Sequence, residues 1–416
     1  MTELFETESR TIPITKDMVR EAYRKVRSNN GSAGVDEQDL KKFEKDLGKN
    51  LYKIWNRMSS GSYYPKAVKE VIIPKSNGGE RKLGIPTVGD RVAQEVVKAY
   101  IEPRLEKVFV AKSYGYRPHK NAHQALENVR ENVRQYAWVI DMDIKSFFDE
   151  VDHELLMKAV ERHVSEKWVK MYIRRWLETP IQTKDGMVQK TGQGTPQGGV
   201  ISPLLANLFL HYVLDKWLEK QYPTVTFVRY ADDVIVHCIS EEQSQNVLEG
   251  IKQRLKECKL RLSEEKTKII YCQDYRRVKR RDYPKSFDFL GHSFKPMTQK
   301  SKRGGLFLGF NCEISMKSRS RIIDSWKEMD FHRNSSLTFE KLAIKLNAKT
   351  RGIINYYGKM NLRSVEKLFL QLDFRIAKWA RNKFKSLKNS YPKAYKLVKE
   401  LKSKYPTLFY HWVLKH

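Results

Sequence analysis

Apolar and polar positions change period several times along the chain, and each change marks an element. Between residues 15 and 60 the apolar positions recur at helical spacing, broken at Gly31-Ser32-Ala33-Gly34, which reads as a loop. From Val68 to Pro74 the β-branched run Val71-Ile72-Ile73 predicts a strand. A turn at Asn77-Gly78-Gly79 and a second strand through Leu83-Gly84-Ile85 complete a hairpin. Helical spacing returns over 90–110 and 121–136, followed by the strand-forming stretch Trp138-Val139-Ile140-Asp141-Met142-Asp143-Ile144. Helices are expected at about 153–178 and 203–220, and two short apolar strands between Val225 and Cys238 meet at Ala231-Asp232-Asp233. Near residue 300 a basic stretch, Lys300-Ser301-Lys302-Arg303-Gly304-Gly305, leads through one more β-like segment into helices. There Val365, Leu368, Phe369, Leu372, Ile376 and Trp379 form one apolar stripe, with Arg375, Lys378, Arg381, Lys383 and Lys385 around it. The pattern predicts an α+β body with an all-α appendage.

A chain of 416 residues calls for two or three structural units, each able to bury its own core. A hydrophobic fraction of 40%, with 18 Phe, 21 Tyr and 8 Trp, excludes a disordered chain. No apolar run reaches bilayer length and no signal-peptide core opens the sequence, so the protein is expected to stay in the compartment where it is made. Cys238, Cys258, Cys272 and Cys312 stand singly, without C-x-x-C spacing. That argues against a zinc ribbon or redox dithiol and fits reduced thiols in a reducing cytoplasm. The charge narrows the partner: 79 Lys and Arg against 49 Asp and Glu leave +30. Such an excess favours a polyanion, because each neutralised phosphate releases counterions. A membrane surface would require a basic amphipathic helix with an exposed apolar face, whereas these basic residues are spread along the whole chain. Nucleic acid is therefore the expected partner, and the basic helices after residue 300 are the expected RNA-facing surface.

The sharpest chemical feature is Tyr230-Ala231-Asp232-Asp233 between two apolar strands. A tight turn relaxes strand alternation, so both carboxylates can face one site, where their repulsion favours a cation between them. Alone, the tetrapeptide reads equally well as a polar turn. Asp143 adds a further acid at the end of another apolar strand, with Asp141 on the same face by alternation. Two-metal nucleotidyl transfer needs acids from separate strands to hold cations about 3.5–4 Å apart, and hard oxygen ligands suit Mg²⁺. A third element, Gly192-Gln193-Gly194-Thr195-Pro196-Gln197-Gly198-Gly199, precedes Val200-Ile201-Ser202-Pro203 and an apolar helix. It permits close backbone approach to a ligand at a helix N-terminus but matches neither a Walker A loop nor a dinucleotide fingerprint, and a plain turn is the other reading.

Taken in order, Asp143-Ile144-Lys145-Ser146-Phe147-Phe148, then Thr195-Pro196-Gln197-Gly198-Gly199-Val200-Ile201-Ser202-Pro203, then Tyr230-Ala231-Asp232-Asp233 resemble the reverse transcriptase family, specifically the group II intron-encoded reverse transcriptase/maturase branch. Further similar blocks cover most of the chain: Gly31 to Asp36, Pro74-Lys75 through Arg81-Lys82-Leu83-Gly84-Ile85-Pro86, Ser113 to Pro118, Leu262 to Lys266, Phe289-Leu290-Gly291, and Arg351 to Gly358. The resemblance implies a right-hand polymerase: an N-terminal extension over 1–70, fingers and palm over 71–300, and an all-α thumb/maturase domain over 301–416. It implies Mg²⁺ ligation by Asp143, Ile144, Asp232 and Asp233, the three acids being catalytic. Lys75, Arg81, Phe147, Phe148, Gln197, Gly198 and Lys266 become nucleotide-binding residues. Phe148 is the ring that would exclude a ribose 2′-OH, with Phe147 as fallback, though both also read as core aromatics. Leu290 and Gly291 would support the primer end. Tyr356 and Tyr357 could stack on bases, or simply pack a core. The implied partners are group II intron RNA, a DNA target or primer strand and deoxynucleoside triphosphates, with no membrane. The implied place is the bacterial cytoplasm, near the nucleoid. Because the sequence stops at His416 without a Cys/His cluster, it resembles the endonuclease-lacking type. The implied function is copying intron RNA into DNA and assisting its splicing. A domesticated role such as antiphage defence is the alternative.

Overall fold

Thr15 starts the first helix, Lys16–Ser28, by accepting a hydrogen bond from the Met18 N–H, and Asp39 does the same for Leu40–Lys45. A third helix follows at Leu47–Ser59. The helices expected over 15–60 are therefore present, interrupted where the glycines stand. The computed structural model describes residues 12–74, 79–189, 192–388 and 390–414. The chain divides into two compact units: residues 1–120, 142–234 and 245–267 form one, and 121–141, 235–244 and 268–416 form the other.

The strands, in chain order, are β1 (Val68–Pro74), β2 (Glu80–Ile85), β3 (Trp138–Asp143), β4 (Ile181–Thr183), β5 (Gly186–Val188) and β6 (Thr226–Tyr230). They continue with β7 (Asp233–Cys238), β8 (Lys268–Tyr271), β9 (Phe287–Phe289), β10 (His292–Lys300) and β11 (Leu306–Ile314). One sheet has the order β2-β1-β4-β5, with β1 and β2 antiparallel from Lys69↔Ile85 to Pro74↔Glu80. A second has the order β6-β7-β3-β8, with β3 antiparallel to β8 from Trp138↔Tyr271 to Asp141↔Lys268. The third is β11-β10-β9.

In the first unit the core is organised by the helix Val88–Glu106, whose Val88, Val92, Val96, Val97, Ile101 and Leu105 are fully buried. Asp90 is buried with them and tolerated because Tyr63 Oη (2.6 Å) and Thr87 Oγ1 (2.6 Å) donate to it. The single helix expected over 153–178 is broken into His153–Glu161 and Lys167–Leu177. That expected over 203–220 runs as Ser202–Leu210, a π-helical turn His211–Asp215, and Lys216–Gln221.

In the second unit Trp326, Leu342, Leu346, Val365, Leu368, Leu372, Ile376, Trp379, Phe409 and Trp412 form one apolar cluster. The stripe on Leu362–Lys383 is its spine, each buried Leu or Ile contributing about 2 kcal/mol by area. The β4–β5 hairpin and strand β10 were not expected, whereas β11 is the β-like segment anticipated after residue 305. β4 and β5 are three residues each, too short to show a period. β10 carries Lys295, Pro296, Thr298 and Gln299, a half-exposed strand without an apolar signature. The expected division at residue 300 falls inside the β10–β11 hairpin, where Lys300 pairs with Leu306.

Candidate active site

All of the acids singled out from the sequence lie in the first unit or at its edge, and the backbone fixes Asp143 firmly. β3 ends there. Its carbonyl accepts from the Ser263 N–H (2.8 Å), Ile144 bridges antiparallel to Leu262, and the Lys145 N–H donates to the Arg261 carbonyl (2.9 Å). The segment 261–266 therefore lies beside the strand end, and Lys266 Nζ donates to Asp143 Oδ2 at 2.9 Å. Lys266, expected at the nucleotide, is in this structure the counter-ion of an acid.

The turn that carries Asp232 and Asp233 reverses the chain through Ala231, which adopts a left-handed φ of 59°. A non-glycine residue there is disfavoured by about 1 kcal/mol or more, so something must hold it. Two contacts do. Arg229 Nη1 donates to the Ala231 carbonyl at 3.1 Å. Gly115 lies so close that a Cβ on it would meet the Ala231 nitrogen at 2.4 Å. The Tyr114 N–H in turn donates to the Arg229 carbonyl (2.8 Å), and Asn207 Nδ2 to the Gly115 carbonyl (2.7 Å).

Asp232 and Asp233 are both raised above the ordinary carboxylate range, Asp233 to about 6. Desolvation is the largest cause for each, followed for Asp233 by the charges of Asp232 and Asp143, while Lys266 opposes the shift. For Asp232, Asp143 raises and Arg81 and Arg229 lower. The carboxylates of β3, of β7 and of the turn before β7 thus feel one another's charge, with Lys266, Arg81 and Arg229 opposing it, a mutual repulsion that a divalent cation would relieve. Among the described residues no three His, Cys, Asp or Glu side chains are grouped so as to hold a metal ion as they stand. Asp143 is turned to Lys266 instead.

Arg81 Nε donates to Gln197 Oε1 at 3.1 Å, joining β2 to the glycine-rich loop. The Gly84 N–H donates to the Gln197 carbonyl (2.7 Å), and Gly198, at φ 125°, packs so tightly that a Cβ would lie 2.4 Å from the Gly84 oxygen. Tyr116, half exposed, has a raised pKa from burial first and the Asp232 charge next, with Arg81 lowering it, so it belongs to the same site. Phe147 and Phe148 are buried at 3% and 9% exposure and pack edge-to-face at 5.3 Å. The less buried ring is Phe148, whose carbonyl accepts from the Thr195 N–H (2.7 Å). Lys75 lies outside the described residues.

Leu290 and Gly291 belong to the second unit. Leu290 is left-handed (φ 47°), and Tyr356 Oη donates to its carbonyl at 2.9 Å. The carbonyl of Tyr356 is itself bonded to His123 Nε2 (2.8 Å), and Tyr356 and Tyr357 meet edge-to-face at 4.9 Å. Both tyrosines therefore brace this turn.

The profile of the family described as reverse transcriptase (RNA-dependent DNA polymerase) matches residues 73–294, more than half of the chain and every acid of the site. The chain belongs to the reverse transcriptase family. This reverse transcriptase is an RNA-directed DNA polymerase with a group II intron maturase-specific domain, matched over residues 320–399. It is 33% identical over 324 residues to Protein YkfC of Escherichia coli K12, an alignment covering 66% of this chain and 80% of that protein. It is 28% identical over 432 aligned residues to the group II intron-encoded protein LtrA of Lactococcus lactis subsp. cremoris, covering 82% of this chain and 69% of that one. A telomerase structure from Candida albicans superposes with TM-score 0.48 at 13% identity, over 88% of this chain and 69% of that one, too distant to add to the assignment. Among the described residues no helix is long and apolar enough to cross a membrane.

Sequence reasoning gave no role to four residues that shape this reverse transcriptase's site: Gly115, which it noted only within a family block, and Asn207, Asp215 and Arg229. A signal existed for two of them. Arg229 interrupts the apolar strand Thr226-Phe227-Val228, and Asp215 interrupts an apolar helix, so each asks for the other. Gly115 acts through backbone proximity and Asn207 through side-chain hydrogen bonds to distant partners, neither of which spacing reveals.

Proposed function

We propose that Asp143, Asp232 and Asp233 hold two Mg²⁺ ions, with the Ile144 backbone beside them, and that this site extends a primer along intron RNA. The observation that carries the reading is the mutual charge of three carboxylates, one of them held by Lys266 and another opposed by Arg81 and Arg229, inside the matched family segment. When bound, the cations would activate the attacking 3′-oxygen and neutralise charge on the leaving pyrophosphate. The chain's own residues would do the rest. Arg81 and Lys75 would bind the triphosphate of a deoxynucleotide, a bidentate fork and a point charge suited to phosphate oxygens. Gln197, steadied by Arg81, and Gly198 would line the nucleotide pocket, and Phe148, backed by Phe147, would close the space a 2′-OH needs. Lys266, held at Asp143, would stand where its ammonium can also meet the phosphates of the nucleotide. Leu290 and Gly291 would seat the primer terminus. The 3′-oxygen attacks the α-phosphorus, the bond to pyrophosphate breaks, and the 3′ proton leaves to solvent.

We assign residues 1–70 to an N-terminal extension, 71–300 to fingers and palm, and 301–416 to thumb and maturase functions that bind group II intron RNA for splicing and mobility, with a DNA strand as target or primer. The maturase-specific segment and the intron-encoded relatives favour this over a domesticated role in antiphage defence. Four free, buried cysteines fit a reducing bacterial cytoplasm near the nucleoid. The test is extension of a DNA primer on an RNA template with Mg²⁺, beside Asp232→Asn/Asp233→Asn. The reading expects incorporation to vanish in the double variant while RNA binding persists. Equal extension by both proteins would end it.

A further inference from the structure

Arg229 stands on β6 three residues before Asp232, with its side chain fully buried. Its Nε and Nη2 donate to the two oxygens of Asp215 at 2.7 and 2.5 Å, a fork-to-fork pair, and Asp215 is also fully buried. The remaining nitrogen, Nη1, donates both to Asn207 Oδ1 (2.8 Å) and to the Ala231 carbonyl (3.1 Å). Asn207 is 1% exposed and passes the connection on to the Gly115 carbonyl. Asp215 closes the π-helical turn His211–Asp215, and the wider turn displaces it from where a regular helix would put it. Such turns occur often beside functional sites.

The chemistry of this pair is informative. A buried ion pair rarely stabilises a fold more than an apolar pair of similar volume would, because desolvation offsets the attraction. What an apolar pair cannot supply is a rigid donor aimed at the Ala231 carbonyl. That carbonyl belongs to the strained residue immediately before Asp232, so its direction fixes where the next side chain points.

We propose that Arg229 is a positioning residue: anchored by Asp215 and Asn207, its guanidinium fixes the left-handed Ala231 turn and thereby aims Asp232 at the divalent cation. The inference rests on the reading above, in which Asp232 is a cation ligand, and goes beyond it by locating what pre-organises that ligand.

The experiment uses the full chain and Mn²⁺ as probe, with binding followed by loss of the free-ion electron paramagnetic resonance signal and folding by thermal melting. Arg229→Met/Asp215→Leu replaces the pair by apolar groups and should still melt cooperatively. Its Mn²⁺ affinity should fall by about tenfold or more, the size of effect seen when groups supporting a ligand are removed. In primer extension kcat should fall more than the KM for the nucleotide changes. A folded double variant that binds Mn²⁺ like the parent protein overturns the proposal. Should the double variant not fold, Asn207→Leu, which removes the bonds to Arg229 Nη1 and to the Gly115 carbonyl, is read by the same criterion, with a smaller loss of affinity expected and unchanged affinity overturning the proposal. Asp232→Asn separates the two levels. If it abolishes tight Mn²⁺ binding while the double variant binds normally, only the positioning role fails. If it binds like the parent, the cation site itself fails and the proposal with it.

Discussion

Gly115→Ala is the smallest change that should disable the site without touching a polar group. The added methyl would sit 2.4 Å from the Ala231 nitrogen, 2.9 Å from the Tyr230 carbonyl carbon and 3.2 Å from the Ala231 Cα, all backbone atoms that cannot rotate away. Relief to 3.0 Å, the shortest separation real Cβ atoms show, needs a displacement of at least 0.6 Å. The turn cannot absorb it easily, because Ala231 is already left-handed and Arg229 Nη1 holds its carbonyl. Overpacking of this kind costs about 1–3 kcal/mol of stability, which a chain with two cores can bear. Catalysis is less forgiving: a 1 Å error in placing reacting groups costs on the order of a hundredfold in rate. For the displacement here the expected loss is about 10- to 100-fold, roughly 1.4–2.7 kcal/mol of barrier. The assay is single-turnover incorporation of one nucleotide into a preformed enzyme–primer–template complex, so that RNA affinity does not enter. Binding of the duplex by fluorescence anisotropy and a thermal melt run beside it. A folded, duplex-binding Gly115→Ala protein with the parent incorporation rate would refute the claim that this contact sets the position of Asp232.

Four further outcomes are expected. His237 is fully buried with neither ring nitrogen hydrogen-bonded, and burial holds its pKa down at about 3, so His237→Leu should be at least as stable as the parent at pH 7.5. Because the unfolded chain protonates near 6.5 and the folded one does not, the variant's advantage should grow by about 1.4 kcal/mol per pH unit as pH falls below 6.5; a pH-independent difference in urea midpoints would contradict this. Tyr356→Phe removes the hydroxyl that holds the Leu290 carbonyl, worth about 1 kcal/mol, and should weaken primer-terminus binding about fivefold; unchanged primer dissociation would free Leu290 from that dependence. Phe148→Ala should admit ribonucleotides, and unaltered sugar selectivity would move the discrimination to Phe147 or elsewhere. RNA affinity should fall steeply with salt, as 79 basic residues against 49 acids imply, whereas a flat profile would count against a phosphate-contacting surface.

Much of this protein is legible in its sequence because short-range chemistry governs it. The strand Val68–Pro74, the helix Leu362–Lys383 with its apolar stripe, and the acidic pair between two apolar strands follow from side-chain period and turn preference, which act within a few residues. The order of the blocks around Asp143, Gln197 and Asp232 sufficed to place the chain in its family. Tertiary structure alone decided the rest. That Lys266 neutralises Asp143, that Arg81 meets Gln197 across 116 residues, and that Gly115 presses on Ala231 are consequences of long loops brought together by a shared core. The π-turn that seats Asp215 under Arg229 and the half-exposed strand β10 carry no periodic signal, since hydrogen bonds to partners elsewhere in the chain determine them.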